Sequence, residues 1–154
     1  MRNSDIAVLV YRDPVERLVS LFANKFVERS DSADLAKKYE QTTGHSASRA
    51  TLEDFVFRYL SRAGRLRPDP HLRRRGDHLT GLLYCAIPLR RVHEDMKILV
   101  GPALADEYFA RPVNAASSPK VTPSDDAVRL IRKVYAADIE LLKRIEESPR
   151  LNQP

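Results

Sequence analysis

The sequence is poor in the residues that mark several classes of protein. Its 154 residues include one cysteine, Cys85, so an internal disulfide framework is excluded and a reducing compartment is expected. No apolar run reaches the roughly 18 residues of a membrane span, and the first residues lack the basic-then-apolar pattern of a secretory signal. Its five glycines, at positions 44, 64, 76, 81 and 101, form no phosphate-binding loop. We therefore expect a cytoplasmic protein.

What the chain does have is the composition of one globular domain over residues 1–154. Its content is 43% hydrophobic and 31% charged, and its net charge is +5. A basic surface favours anionic partners such as nucleotides, acidic or sulfated substrates, nucleic acid or a membrane surface, although many domains carry such charge without using it. Nucleic acid ranks low, because aromatic residues are not interleaved with the basic ones and no zinc-finger or helix-turn-helix pattern is present.

The best-defined segment lies near the start of the chain. Residues 6–11 form a continuous apolar run, typical of a strand buried on both faces of a parallel sheet. Asp13 can cap a following helix, Pro14 suits its first turn, and Glu16 completes a capping-box pattern. The apolar stripe of this helix continues to about Glu28. The pattern predicts a strand, a tight turn and a helix with almost no loop between them.

The rest of the chain alternates helical patterns with polar segments. Residues 82–89 predict a second short strand, with Pro88 confining its pairing to an end or an edge. Residues 101–123 contain four prolines and are expected to form a loop. Because two strands alone make a poor sheet, other strands are expected from outside the chain or from segments that show no clear pattern. Helices are predicted near residues 33–39, at 52–62, at 93–100 and from about 127 to 147. The fold class is therefore α/β and helix-rich, with few parallel strands flanked by several helices.

Two polar side chains of the first strand–helix unit are candidates for binding phosphate. Arg12 follows the strand at its carboxyl end, where ligands bind in open α/β sheets, and a guanidinium can hold phosphate oxygens with two parallel hydrogen bonds. Ser20 lies about two turns into the helix, off its apolar stripe, and its hydroxyl could donate to the same phosphate. The alternative is that Arg12 pairs with a carboxylate and Ser20 is simply solvated.

Residues 10–26, VYRDPVERLVSLFANKF, closely resemble the second nucleotide motif of the carbohydrate sulfotransferases, both membrane-associated and bacterial. In that family the Arg and the Ser eight residues later bind the 3′-phosphate of 3′-phosphoadenosine 5′-phosphosulfate, and Arg12 and Ser20 match both identity and spacing. The resemblance implies a P-loop-like fold and transfer of a sulfuryl group from that donor to a hydroxyl of a carbohydrate or similar acceptor, with no metal. Weaker similarity continues through residues 69–72, 94–95, 113–117 and 134–138.

The resemblance also implies a part of the site that the sequence lacks. Relatives carry, ahead of this motif, a strand, loop and helix that hold the 5′-phosphosulfate, followed by a stretch that often contains the catalytic base. Here only residues 1–5 precede the first strand. We therefore expect an N-terminally truncated relative that keeps the 3′-phosphate half of the donor site. The alternative function is a non-catalytic relative that acts as a nucleotide- or protein-binding module.

The remaining candidates are single residues. Arg17, in the first helix, and Lys120, in a loop that would close over the nucleotide, are further candidates for donor binding. His71 and His78 are candidates for the general base, because a neutral imidazole accepts a proton near pH 7, although a structural role is more common for loop histidines. The four histidines and Cys85 show no zinc-site spacing, so no metal is expected. Self-association stays open.

Overall fold

A computed structural model describes residues 7–28, 34–63, 72, 84–111 and 121–147. The two strands are β1 (Ala7–Tyr11) and β2 (Tyr84–Pro88). The α-helices are α1 (Pro14–Phe22), α2 (Asp34–Thr43), α3 (Leu52–Asp54), α4 (Ser61–Ala63), α5 (Val92–Val100), α6 (Pro102–Tyr108), α7 (Asp125–Val134) and α8 (Ala136–Glu147). Two π-helical segments, π1 (Ala23–Glu28) and π2 (Phe55–Leu60), continue α1 and α3, and short 3₁₀ turns cover Ala47–Arg49 and Leu89–Arg91.

The two strands pair in parallel, as predicted. The register runs from Ala7 opposite Tyr84 to Tyr11 opposite Pro88, so the proline occupies the last pair of the ladder. The prediction that residues 6–11 are buried on both faces is wrong for the described part of the strand. Its residues at positions 8–10 are only half-buried, whereas Tyr11 is buried. The physical reason is that the described sheet has two strands, which leaves an open edge on each.

The turn between β1 and α1 is fixed by short-range hydrogen bonds. The Asp13 carboxylate accepts from the backbone N–H of Val15 at 2.8 Å and of Glu16 at 3.2 Å, which confirms the predicted N-cap. Pro14 occupies the first turn. The helix reaches Glu28 as predicted, but residues 23–28 are π-helical. The wider turn of a π-helix is not visible in the apolar periodicity of the sequence.

Most of the core lies between helices rather than on the sheet. Phe55 is fully buried, and its ring lies 5.0 Å from that of Phe26 and 5.5 Å from that of Tyr59. Phe26 in turn meets Tyr39 edge-on at 5.5 Å. A smaller cluster around Ile87 packs the sheet against α5 and α6. The predicted apolar faces of residues 14–28 and 52–62 therefore meet in one aromatic core.

Two elements of the second half differ from the sequence predictions. Residues 102–108 form α6 where a loop was expected, because Pro102 stands at the helix start, where a proline is compatible with helix. Gly101 links α5 to α6 with a φ of 89°, a backbone angle that a residue with a β-carbon rarely adopts. The predicted final helix is interrupted at Tyr135, whose hydroxyl donates to the Leu72 carbonyl at 2.9 Å. No helix of the described residues is both long and apolar enough to cross a membrane.

Thr51 caps the helical segment that begins at Leu52. Its hydroxyl oxygen accepts from the Asp54 N–H at 3.0 Å, and the hydroxyl donates to the Asp54 carboxylate at 3.0 Å. This hydroxyl is the main reason that the pKa of Asp54 is lowered. We expect Thr51→Ala to reduce the free energy of unfolding by about 1 kcal/mol at neutral pH.

The pH dependence of that difference tests the contact with Asp54. Because the folded-state pKa of Asp54 is lowered, its stabilisation is present above the ordinary pKa and is lost as the pH falls through the lowered one. Urea unfolding of both proteins should therefore show a difference that narrows below about pH 4. Thr51→Ser, which keeps the hydroxyl, should stay close to wild type. A difference that is constant with pH would contradict the role given to Asp54.

Candidate functional site

A cleft of about 450 Å³ lies at the carboxyl ends of the two parallel strands. Its walls are residues 11–14 with Glu16, residues 88–90, and one face of α8. This is the edge at which open α/β sheets bind ligands, since both strands end there and their following turns diverge. The position predicted from Arg12 alone therefore coincides with a concave surface.

Arg12 lies in this cleft with its side chain about one-third exposed. Its Nε lies 3.3 Å from Oε2 of Glu16, one turn into α1. The first part of the predicted alternative, that Arg12 pairs with a carboxylate, is thus observed. Such a pair between solvent-exposed groups contributes about 0–1 kcal/mol, because water screens both charges. An anionic ligand with two oxygens can therefore compete with Glu16 for the guanidinium.

Ser20 lies further along the same helix face. It follows Glu16 by four residues, which places the two β-carbons about 5–6 Å apart on one side of α1. Ser20 is half-buried and is not among the residues that line the cleft. The Arg12 guanidinium thus contacts Glu16, whose position on α1 is one turn before that of Ser20.

Arg17 faces a different neighbour. Its Nη2 lies 3.5 Å from Oδ2 of Asp138, and its guanidinium stacks over the Tyr135 ring at 4.9 Å from the centroid. The Nη2 atom is buried and makes no hydrogen bond within the described residues, so the contact with Asp138 is an ion pair without hydrogen-bond alignment. Asp138 is 2% exposed. Arg17 of α1 therefore packs against Tyr135 and against Asp138 in the first turn of α8, and its part in donor binding stays a prediction.

Asp138 is a residue that the sequence reasoning missed, although a signal was present. It occupies the spacing of the apolar stripe of α8, with Tyr135 three residues before it and Leu142 four residues after it. A carboxylate on the buried stripe of a helix requires a buried partner, because an isolated charge is costly to desolvate. The resulting ion pair joins α1 to the first turn of α8, the helix whose later residues line the cleft.

Two further cations line the cleft and were also missed. Arg90 lies two residues after the end of β2, close to the same strand-end edge at which Arg12 lies directly after β1. Lys143 projects from α8, and only the tertiary structure brings it to the strand ends. Both are exposed residues. The cleft therefore presents cations from three separate elements.

Three predicted residues, His71, His78 and Lys120, lie outside the described residues. The two described histidines contact charged neighbours. Arg58 Nη1 lies 2.7 Å from His45 Nε2, and His93 Nε2 lies 2.7 Å from the Asp106 carboxylate.

The resolved pKa shifts lie away from the cleft lining. Burial raises the pKa of Tyr39, whereas the contacts with His93 and Lys97 lower the pKa of Asp106. Among the described residues no group of three or more His, Cys, Asp or Glu could hold a metal ion.

Comparison with known proteins assigns the chain to a family. The model described as "Sulfotransferase family" matches residues 2–88, more than half of the 154-residue chain. The match includes β1, α1 and β2, and so contains Arg12, Arg17 and Ser20, whereas α8 lies beyond it. No curated protein and no solved structure gives a significant match. The chain belongs to the sulfotransferase family.

Proposed function

We propose that this protein binds 3′-phosphoadenosine 5′-phosphosulfate at the carboxyl end of β1 and transfers its sulfuryl group to a hydroxyl of a carbohydrate or similar acceptor. The observation that carries the proposal is the position of Arg12. Its guanidinium lines a cleft at the ends of two parallel strands, within the segment that matches the family. The proposal covers residues 1–154 as one sulfotransferase-like domain in the cytoplasm.

The cleft is compatible with a nucleotide of this kind. Its volume of about 450 Å³ lies within the range of roughly 300–1,000 Å³ that is common for small-molecule sites. Arg12 can offer two parallel N–H donors to a phosphate, and the Ser20 hydroxyl lies on the same helix face. The positive end of the α1 dipole adds a weaker attraction for negative charge. These features fit a phosphate held beside the first turns of α1.

In this scheme Arg12 and Ser20 position the donor and take no part in bond making. The donor supplies the sulfuryl group, and its nucleotide part is the leaving group. Fixing one end of a reactant lowers the entropic cost of aligning the reacting atoms. His71 and His78 are proposed as candidates for accepting the proton of the acceptor hydroxyl. Lys120 and Arg17 are proposed as further donor contacts, and Arg17 also packs against Asp138.

Calorimetry with 3′-phosphoadenosine 5′-phosphate tests the binding claim. We expect measurable binding to wild type and about 100-fold weaker binding to Arg12→Ala. Hydrogen bonds to charged groups contribute about 1.5–3 kcal/mol, and each 1.4 kcal/mol corresponds to about tenfold in affinity. Ser20→Ala should cost about tenfold on the same grounds.

The matched control is Arg129→Ala. Arg129 is an exposed helical arginine that pairs with Asp126 within α7, away from the cleft lining, so its loss should leave binding unchanged. Absence of binding to folded wild type would contradict the donor site. Binding without sulfate transfer to a panel of sugars would instead favour the non-catalytic nucleotide-binding module.

A further inference from the structure

The cleft carries more positive charge than one phosphate contact uses. Arg12 follows β1, Arg90 follows β2, and Lys143 lies on α8. Because Tyr11 pairs with Pro88, the chain leaves the two strands side by side, about 4.8 Å apart. Arg12 follows this last pair by one residue and Arg90 follows it by two, so both lie at the same edge of the sheet, and Lys143 belongs to the α8 wall of the cleft.

The lining also holds three acidic residues, as many as its cations, so the pairing of each charge decides which cations remain available. Asp13 is occupied by the backbone N–H groups of α1, and Glu16 lies against Arg12. Within the described residues neither Arg90 nor Lys143 has a carboxylate within 4.0 Å. Glu146, the remaining acid, lies one turn further along α8 than Lys143 and is exposed. Two cations are thus free to meet an anion in the cleft.

We propose that Arg90 and Lys143 form a second anion subsite, so that the cleft binds a nucleoside with anionic groups at two positions. Arg12 holds one group, and Arg90 with Lys143 holds the other. The proposal rests on the proposed function, since it assigns the second anionic group of the same ligand. It gives the turn after β2 and the α8 wall a role that the match to residues 2–88 does not assign.

Two nucleotides that differ in one phosphate separate the two subsites. Calorimetry is carried out with adenosine 3′,5′-bisphosphate and with adenosine 3′-monophosphate, on wild type and on the double variant Arg90→Ala/Lys143→Ala. We expect the double variant to bind the bisphosphate at least about tenfold more weakly, the effect of one lost charge-assisted contact. Its affinity for the monophosphate should stay within about twofold of wild type, because salt screens the attraction between these two cations and a phosphate that they do not contact. Arg12→Ala should weaken both.

Arg144→Ala is the matched control for the α8 wall. Arg144 is adjacent to Lys143, is exposed and pairs with Glu140, and it does not line the cleft. Its removal changes the net charge by the same amount as removal of Lys143, so unchanged affinity for both nucleotides supports a local effect. Because the substituted side chains are exposed, thermal unfolding should show the variants as folded as wild type.

Each other outcome overturns the subsite. If the double variant binds both nucleotides more weakly by the same factor, the two cations act through the overall positive potential of the cleft and not through a contact with the second phosphate. If the double variant binds both nucleotides as wild type does but no longer binds a sulfated disaccharide, Arg90 and Lys143 contact the acceptor instead. In both cases a loss of binding in Arg12→Ala leaves the proposed function standing. If wild type binds neither nucleotide, the proposed function fails first and this inference fails with it.

Discussion

Replacement of Asp138 by alanine is expected to lower the free energy of unfolding by about 3–5 kcal/mol. Asp138 is buried, and the Arg17 guanidinium lies 3.5 Å away with Nη2 fully enclosed. Without the carboxylate, this cation stays buried with its stacking on Tyr135 and no opposite charge at Nη2 within the described residues. Urea unfolding of wild type and variant measures the difference.

Two further variants distinguish the effect of breaking the buried ion pair from the effect of removing one negative charge from α8. Glu140→Ala removes an acid two residues away that is exposed and paired with Arg144, and it should cost less than about 0.5 kcal/mol. The double variant Arg17→Met/Asp138→Leu removes both charges and should recover much of the stability, because it leaves neither member of the pair buried without the other. If Asp138→Ala is no more harmful than Glu140→Ala, the ion pair is not what holds α8 against α1.

Replacement of Phe55 by alanine is expected to cost about 3–5 kcal/mol, the range for truncating a buried phenylalanine. Phe55 is 0% exposed and lies at the centre of the aromatic core. Its ring centroid lies 5.8 Å from that of Phe22 and 5.0 Å from that of Phe26, so the truncation leaves a cavity among rings that cannot all move inward. Thermal or urea unfolding measures the loss.

Phe57→Ala is the matched control within the same π-helical segment. Phe57 is 43% exposed, so its removal from the surface should change stability by no more than about 0.5 kcal/mol. The two substitutions are chemically identical and two residues apart, so their difference isolates burial from helix propensity. Similar losses for both would contradict the position of Phe55 at the centre of the core.

The local elements were predictable because their signals act over a few residues. The Asp13 cap, the proline at the first turn and the apolar stripe specify where α1 begins and which face it buries, and the structure has the same features. The expected loop at 101–123 was wrong over residues 102–108 because proline also occurs at helix starts, and sequence alone gave more weight to its role as a helix breaker. Neither π-helical segment has a periodicity that separates it from an α-helix.

The residues of the site were likewise predictable only where the signal is local. The position of Arg12 was predictable, because a basic residue directly after an apolar strand lies at the ligand-binding edge of a parallel sheet. Lys143 was not, since nothing in the local sequence of α8 shows that this helix packs beside the strand ends. The structure shows Arg17 packed against Asp138 and Tyr135, contacts that the sequence did not reveal. The donor-binding roles of Arg12, Arg17, Ser20 and Lys120 and the proton-accepting roles of His71 and His78 stay predictions for experiment.

The sequence by itself determined the parallel strand pair, the cap of α1, the buried faces of the main helices and the position of Arg12 at a strand end. These features depend on side-chain chemistry and on spacings of two to four residues, which are written directly in the chain. Only the tertiary structure decided where α7 ends, which carboxylate Arg17 meets, and that α8 forms the third wall of the cleft. Those outcomes depend on contacts between segments far apart in the chain, and local pattern carries no record of which distant surfaces meet.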